Sequence, residues 1–314
     1  MAFWGFGEPL THPHIIKMIE MAKKSGVKTE LITNGLLLDE KTAEILVRIG
    51  LDTIVVSMDG TRPESHAHIR KGADLKKVQD NIGHLNAMKL FSGADTPKLG
   101  IEYVLMRSNL KELADLPSIA KKLRASFIVV SNVLPYTKEF ENEILYGISA
   151  SMPFNVKVDN RTSGVALPKI DVRRETREPL ISFRLNADAC GFNESIHLKS
   201  EAYCPFVNEG SIAVRWDGEV SPCIPLMHSH KCYVINREKF VRRYSVGNIG
   251  HDKLNDIWNG DEYRSFRKRV IDFDFPPCIH CTCDMAEANV EDCCGSPFPT
   301  CGDCLWARGI ILCP

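Results

Sequence analysis

The distribution of cysteine constrains this chain more than any other feature. Twelve cysteines occur in 314 residues, and none lies before Cys190. Eight of them fall from Cys278 onward. Disulfide-stapled domains are short, secreted and cysteine-dense throughout. Here a cysteine-free body precedes a thiol-rich end, and in a reducing compartment grouped thiols read as metal ligands. The first ten residues, MAFWGFGEPL, lack a basic start and a signal-length apolar run. A cytoplasmic location is therefore expected. Net charge is -1, so no global field gathers nucleic acid or anionic lipid. Apolar runs such as Ile310-Ile311-Leu312 are far too short to span a bilayer. Neither nucleic acid nor membrane is expected as a partner.

The spacings are specific. Cys204 is followed by Gly218, then after four residues by Cys223. Next come Cys278-x2-Cys281-x-Cys283, the pair Cys293-Cys294, and Cys301-x2-Cys304-x8-Cys313. Two cysteines at x2 spacing grip one metal or cluster from a tight turn. The 19 residues between Cys281 and Cys301 also fit a zinc ribbon. Two zinc ions or two [4Fe–4S] clusters would each consume about eight thiolates. The count predicts two sites and leaves the metal open. Cys190 and Cys232 stand outside the groups and read as buried thiols. Adjacent residues rarely reach one metal together, so one of Cys293 and Cys294 is spare.

Before the cysteines, the pattern alternates strand and helix. Strands are expected at Ala2–Phe6, Lys28–Thr33, Asp52–Met58, Leu99–Met106 and Phe127–Ser131. Helices are expected at Pro13–Ser25, after the caps Asp39 and Asp74, and at Leu110–Leu123. This rhythm predicts a parallel sheet whose strand ends carry the ligand-binding turns. An open barrel and a doubly wound sheet both satisfy it. From Pro135 to about Tyr203 the pattern weakens, as in a cover or linker. Its charged stretch Arg173–Glu178 reads as a solvated face. Ile212–Trp216, Asp217-Gly218 and Glu219–Ser221 read as a β-hairpin with an Asp-Gly turn. His228, His230 and His251 read as loop histidines, and Trp216, Trp258 and Trp306 as packing for the small cysteine region.

Strand ends at Gly7-Glu8-Pro9, Thr33-Asn34-Gly35 and Ser57-Met58-Asp59-Gly60 resemble the core of radical S-adenosylmethionine enzymes. The series Cys204…Gly218-x4-Cys223…Cys278-x2-Cys281 resembles their SPASM extension. The closing stretch from Cys301 to Pro314, with Trp4–Leu10, Arg215–Cys223 and Asp284-Met-Ala, is similar to one subgroup. These are maturases associated with tungsten-cofactor oxidoreductases of the aldehyde:ferredoxin type. The resemblance implies an α/β fold: a partial, open parallel β/α barrel lacking its first strand, plus a small cysteine-rich α+β iron–sulfur domain. The implied division is barrel 1–134, linker or cover 135–203, and iron–sulfur domain 204–314.

The resemblance also implies residue roles. Gly7, Glu8 and Pro9 would bind the amino group of S-adenosylmethionine, since a carboxylate and open carbonyls suit an ammonium. Asn34, Ser57 and Asp59 would contact the rest of that molecule, with Asn109 a weaker candidate. Read plainly, Glu8 is also a helix-start residue, and Asp-Gly is turn chemistry by itself. Cys204, Cys223, Cys278, Cys281, Cys283, Cys293, Cys301, Cys304 and Cys313 would supply two auxiliary [4Fe–4S] clusters. The implied activity is a maturase acting through a 5′-deoxyadenosyl radical on a tungsten-containing oxidoreductase or its cofactor. A ferredoxin or flavodoxin would donate electrons. Two alternatives stand beside it: a peptide-modifying maturase of the sulfatase-maturase kind, and a non-enzymatic zinc or iron–sulfur binding module. The family's defining Cys-x3-Cys-x2-Cys loop is absent from these 314 residues. The chain on its own is therefore expected to be inactive in the family reaction.

Overall fold

A computed structural model describes residues 1–152, 155–156, 164–194, 198–199, 203–276 and 278–313. Strands β1 (Ala2–Phe3), β2 (Glu30–Thr33), β3 (Thr53–Ser57), β4 (Lys98–Leu105) and β5 (Phe127–Asn132) pair in parallel, in chain order. A short antiparallel ribbon follows, β6 (Asn155–Val156) with β9 (Leu198–Lys199). The main sheet continues through β7 (Gly164–Ala166) and β8 (Asn193–Glu194), both parallel. Its order is β1-β2-β3-β4-β5-β7-β8. Sequential order means every crossover runs the same way, which excludes the doubly wound alternative, where the order reverses. The sheet is an open β/α barrel and does not close among the described residues.

Local signals place the helices. Helix α1 spans Ile15–Lys24 and α2 Glu40–Arg48, whose cap Asp39 accepts from Thr42 N at 2.8 Å. Helix α3 covers Pro63–Ile69 and α4 Leu75–Ser92, capped by Asp74 and stopped by Gly93 in the left-handed region. The helix expected over Leu110–Leu123 divides into a 3-10 turn, Leu110–Asp115, and α5 (Leu116–Lys122). Pro117 explains the break, because it lacks an N–H and favours a new first turn. Within 135–203, where the sequence pattern offers no elements, β7, α6 (Arg174–Cys190) and β8 extend the barrel. Strands of two or three residues are too short to show alternation. Strand β1 ends at Phe3 instead of Phe6 because Gly5 and Gly7 take positive φ.

The two faces of the sheet have different cores. Leu31, Ile54, Val56, Leu99, Ile101, Tyr103 and Ile128 point outward into the helices. Ile32, Val55, Phe127, Val129 and Ala166 point inward, and they enclose Leu312 from the far end of the chain. Gly100 leaves room for the Phe127 ring beside it, since a Cβ there would stand 2.3 Å from the ring. The C-terminal segment is fastened by polar contacts as well. Leu312 N donates to Ser131 Oγ at 3.0 Å, and Asn132 Nδ2 donates to Ile310 O at 2.9 Å. Lys169 N donates to Gly309 O at 3.0 Å.

The C-terminal part begins with α7 (Pro205–Asn208) and the predicted hairpin, β10 (Ala213–Val214) with β11 (Glu219–Ser221). A second hairpin joins β12 (His230–Val234) to β13 (Arg237–Val241), and β14 (Gly247–Asn248) pairs with β11. Helices α8 (Leu254–Asn259) and α9 (Asp261–Ile271) lead into the cysteine-rich loops. Replacing Leu312 by Ala removes a buried anchor between barrel and tail, at a cost of about 2–5 kcal/mol. The expected result is a lower denaturant midpoint with unchanged slope; an unchanged midpoint would mean the tail is not docked.

Candidate functional site

The strand ends of β1, β2, β3 and β4 form the mouth of the barrel. Glu8 spans the first two. Its Oε1 accepts from Thr33 Oγ1 at 2.7 Å and from Leu10 N at 3.1 Å, and its Oε2 accepts from Asn34 N at 2.7 Å. A carboxylate has about four acceptor positions. Three are filled, and the one left, on Oε2, is free for an ammonium donor. Asn34 Oδ1 accepts from Leu36 N at 2.9 Å, which shapes the turn. Gly35 sits at φ +77, and a Cβ there would lie 2.9 Å from Val78 and 3.0 Å from Val56. Only glycine lets the turn approach α4 this closely. Gly7, at φ +113, bends the chain ahead of Glu8 and Pro9.

The other expected residues have different partners. Ser57 Oγ donates to Glu102 Oε2 at 2.9 Å across the β3–β4 pair. Asp59 is buried, with Arg70 Nε at 2.6 Å and Val104 N at 2.9 Å on its two oxygens. Its carboxylate braces the strand end by tying Arg70 to β4. Asn109 is fully buried and uses both ends of its amide on Asp59 O, Val104 O and Met106 N. Glu102 was not legible beforehand. Burial raises its carboxyl above the usual range, and nothing in a one-strand pattern shows that it lies opposite Ser57.

The C-terminal cysteines collect into two groups. Cys204, Cys223, Cys301, Cys304 and Cys313 share one apolar shell, which Trp4 from the barrel also lines. Burial pushes the Cys204 thiol up to about 12, and Cys304 adds to it. Burial likewise holds Cys223 and Cys301 well above the ordinary thiol range, and raises Cys304. Cys313 is pushed up to about 12 by burial, although it accepts a hydrogen bond from Trp306 Nε1 at 3.2 Å. Cys281, Cys283 and Cys293 form the second group, with sulfurs within 4.8 Å of one another. Cys278 lies beside it, pushed up to about 11 by burial, with the Cys281 and Cys293 thiols contributing. A metal or cluster would take the buried thiols of the first group as thiolates and release their protons, and the sulfurs of the second group lie close enough together to share one. Cys190 and Cys232 stand apart, in the barrel core and in β12.

A charge lock joins the two groups. Asp303, between Cys301 and Cys304, is buried and binds Arg237 Nη2 at 2.8 Å as well as Lys239. Arg237 Nη1 also donates to Cys281 O at 3.1 Å. Hairpin β12–β13 therefore carries the cations that hold both cysteine loops.

Family models match in the same two places. The radical SAM superfamily model covers residues 1–116, and the SPASM iron-sulfur cluster-binding domain covers residues 204–282. A tungsten-containing aldehyde ferredoxin oxidoreductase cofactor-modifying protein from Pyrococcus furiosus is 31% identical, over 99% of this chain and 82% of its own length. This chain belongs to the radical SAM superfamily and carries a SPASM domain. Membership implies iron–sulfur clusters and S-adenosylmethionine binding. A PqqA peptide cyclase from Granulibacter bethesdensis is also 31% identical, over 95% of this chain and 70% of the relative. Among solved structures, Streptococcus suis SuiB has a TM-score of 0.53 at 17% identity and covers 83% of the chain. The structure of anSMEcpe with bound AdoMet has 0.52 at 19%, over 85%. The chain spans 56% and 65% of those two proteins, which support the fold. The open β/α barrel and the subgroup resemblance both agree with these matches. Among the described residues, no helix is long and apolar enough to cross a membrane.

Thiols with raised pKa stay protonated and unreactive until pH climbs towards that value. In metal-free protein at pH 8, Cys204 and Cys313 should alkylate with iodoacetamide more than about tenfold slower than in the unfolded chain. Peptide mass spectrometry reads the rates, and equal rates would contradict their burial.

Proposed function

We propose that this chain acts as a radical maturase-type protein that binds S-adenosylmethionine at its barrel mouth and auxiliary clusters in its C-terminal part. Its target is a tungsten-containing oxidoreductase or the cofactor of one, with a ferredoxin or flavodoxin as electron donor. The observation that carries this reading is the gathering of five cysteines in one apolar shell and of Cys281, Cys283 and Cys293 in a second group, with Cys278 beside it, next to a barrel mouth with one open carboxylate position. Cys204, Cys223, Cys301 and Cys304 would hold one [4Fe–4S] cluster. Cys278, Cys281, Cys283 and Cys293 would hold the other. Cys313 is the fifth sulfur of the first group and stands between that cluster position and the barrel interior. The division 1–134, 135–203 and 204–314 serves this reading, with the middle segment supplying the last barrel strands.

The likeness to the Pyrococcus furiosus protein supports the tungsten-enzyme target. The peptide cyclase relatives favour a peptide as the second reading. Glu8, with backbone at Gly7 and Pro9, would take the amino group of S-adenosylmethionine, and Asn34 and Ser57 flank it. Asp59 would act through the strand end it braces. The clusters would supply electron transfer or substrate anchoring when bound. The cluster that cleaves S-adenosylmethionine needs three thiolates near β1, and residues 1–189 contain none. No step is therefore assigned to it, and the chain alone is proposed to bind without turning over.

Iron and acid-labile sulfide on anaerobically prepared protein test the ligand sets. Wild type should carry about eight irons in this region, and Cys278→Ala/Cys281→Ala or Cys301→Ala about four. Cys313→Ala should keep all eight. Zinc without sulfide would leave only the binding module. Glu8→Gln should weaken S-adenosylmethionine binding about tenfold in equilibrium dialysis, with iron unchanged; unaltered affinity would remove Glu8 from the site.

A further inference from the structure

Four rings meet where the C-terminal domain closes over the barrel mouth. Phe6 follows β1 and lies two residues before Glu8. Tyr136 follows β5, and His228 and His230 lead into β12. Phe6 packs edge-on against Tyr136 at 6.2 Å and against His228 at 5.3 Å, with His230 at 6.2 Å. Tyr136 meets His230 at 5.4 Å. Tyr233 N donates to Pro135 O at 2.8 Å, which pins β12 beside Tyr136.

Despite this packing, Phe6 stays 48% exposed and Tyr136 45% exposed. Gly5 and Gly7 flank Phe6 at φ +139 and +113, with open space where a Cβ would be. Two glycines turn an apolar ring out towards solvent at the mouth itself. Such exposure forfeits burial that the nearby core could have provided. Burial lowers the pKa of both imidazoles, which favours their neutral forms. The Cys313 thiol lies near Tyr136 on its inner side.

We infer that Phe6, Tyr136, His228 and His230 form a stacking platform for a planar, neutral heteroaromatic ring of the substrate, held over the barrel mouth beside Glu8. This deepens the proposed function by naming a substrate class, and it rests on that reading for the position of S-adenosylmethionine. A flat ring gains dispersion and quadrupole contacts on the open faces of Phe6 and Tyr136 without needing a charge partner. Rings drawn from β1, β5 and the C-terminal hairpin meet only when the two parts are docked, so the platform exists only in the assembled fold.

The test uses 2-aminopurine riboside, a neutral fluorescent heterocycle quenched on stacking, titrated anaerobically into cluster-loaded protein. Saturating S-adenosylmethionine is present, so that its own adenine position is filled. Saturable quenching is expected, weakened about tenfold by Phe6→Ala or Tyr136→Ala. Phe6→Trp should retain binding, and Phe91→Ala, at an exposed ring near the C-terminal end of α4, should not change it. Iron content and circular dichroism guard against misfolding. Absent quenching in wild type, or equal affinity in both alanine variants, would overturn the proposal. Loss of quenching when S-adenosylmethionine is added would also overturn it, because the rings would then serve the adenine. Dialysis with radiolabelled S-adenosylmethionine alone reports separately on the Glu8 reading, so the two can fail independently.

Discussion

The inner face of the barrel is closed by the end of its own chain. Leu312 sits among Ile32, Val55, Phe127, Val129 and Ala166, and the backbone around it is bound to Ser131 and Asn132. An open β/α sheet exposes an apolar concave face, and exposed apolar area of that size is unfavourable. The tail covers it. Because Leu312 and Cys313 are neighbours, the same contact that completes the core places a thiol beside the mouth. Because Cys301 and Cys304 lie just upstream, it also sets the distance between the cysteine shell and the strand ends.

A second constraint keeps the thiol loops in place before any cluster arrives. The cysteine loops carry buried apolar residues such as Ile279, Leu305 and Ile310, but their turns are irregular and, among the described residues, form no strand or α-helix. Asp303 offsets this by pairing with Arg237 and Lys239, two cations on one strand of a hairpin. Removing one partner of such a buried set leaves a charge uncompensated, which is more costly than never having had the pair. The lock makes the cysteine groups a property of the folded protein chain, ready to accept metal. The same hairpin delivers His228 and His230 to the mouth, so cluster-bearing loops and candidate substrate rings are positioned by one element.

Much of the candidate site was legible because it is written in local chemistry. Gly7-Glu8-Pro9 and Thr33-Asn34-Gly35 are turns whose residues are demanded by backbone angles and close approach. Asp39 and Asp74 cap helices by accepting from backbone N–H groups three residues on. These signals act over a few residues and survive without knowledge of the fold. Asp59 shows the limit. Its Asp-Gly pair follows the end of β3 without forming a hydrogen-bonded turn, and the carboxylate is spent on Arg70, eleven residues later, and on β4. Glu102 and Tyr136 carried no signal, and Phe6 carried none beyond its place in the Trp4–Leu10 stretch, since each gains its meaning from a neighbour on another strand or in another domain.

By itself the sequence determined the parallel strand–helix alternation, the hairpin at Asp217-Gly218 and the grouping of thiols near the C-terminal end, because periodicity, turn residues and close cysteine spacing are local properties. Tertiary structure alone decided three things. It set the strands in sequential order, which bears out the open barrel that the family resemblance implied where the strand–helix rhythm left two folds open, since crossover direction leaves no mark on composition. It partitioned the thiols, joining Cys204 and Cys223 to Cys301 and Cys304 across nearly the whole C-terminal part. It brought the tail back into the barrel, because Leu312 is an ordinary apolar residue until the concave face that needs it has formed.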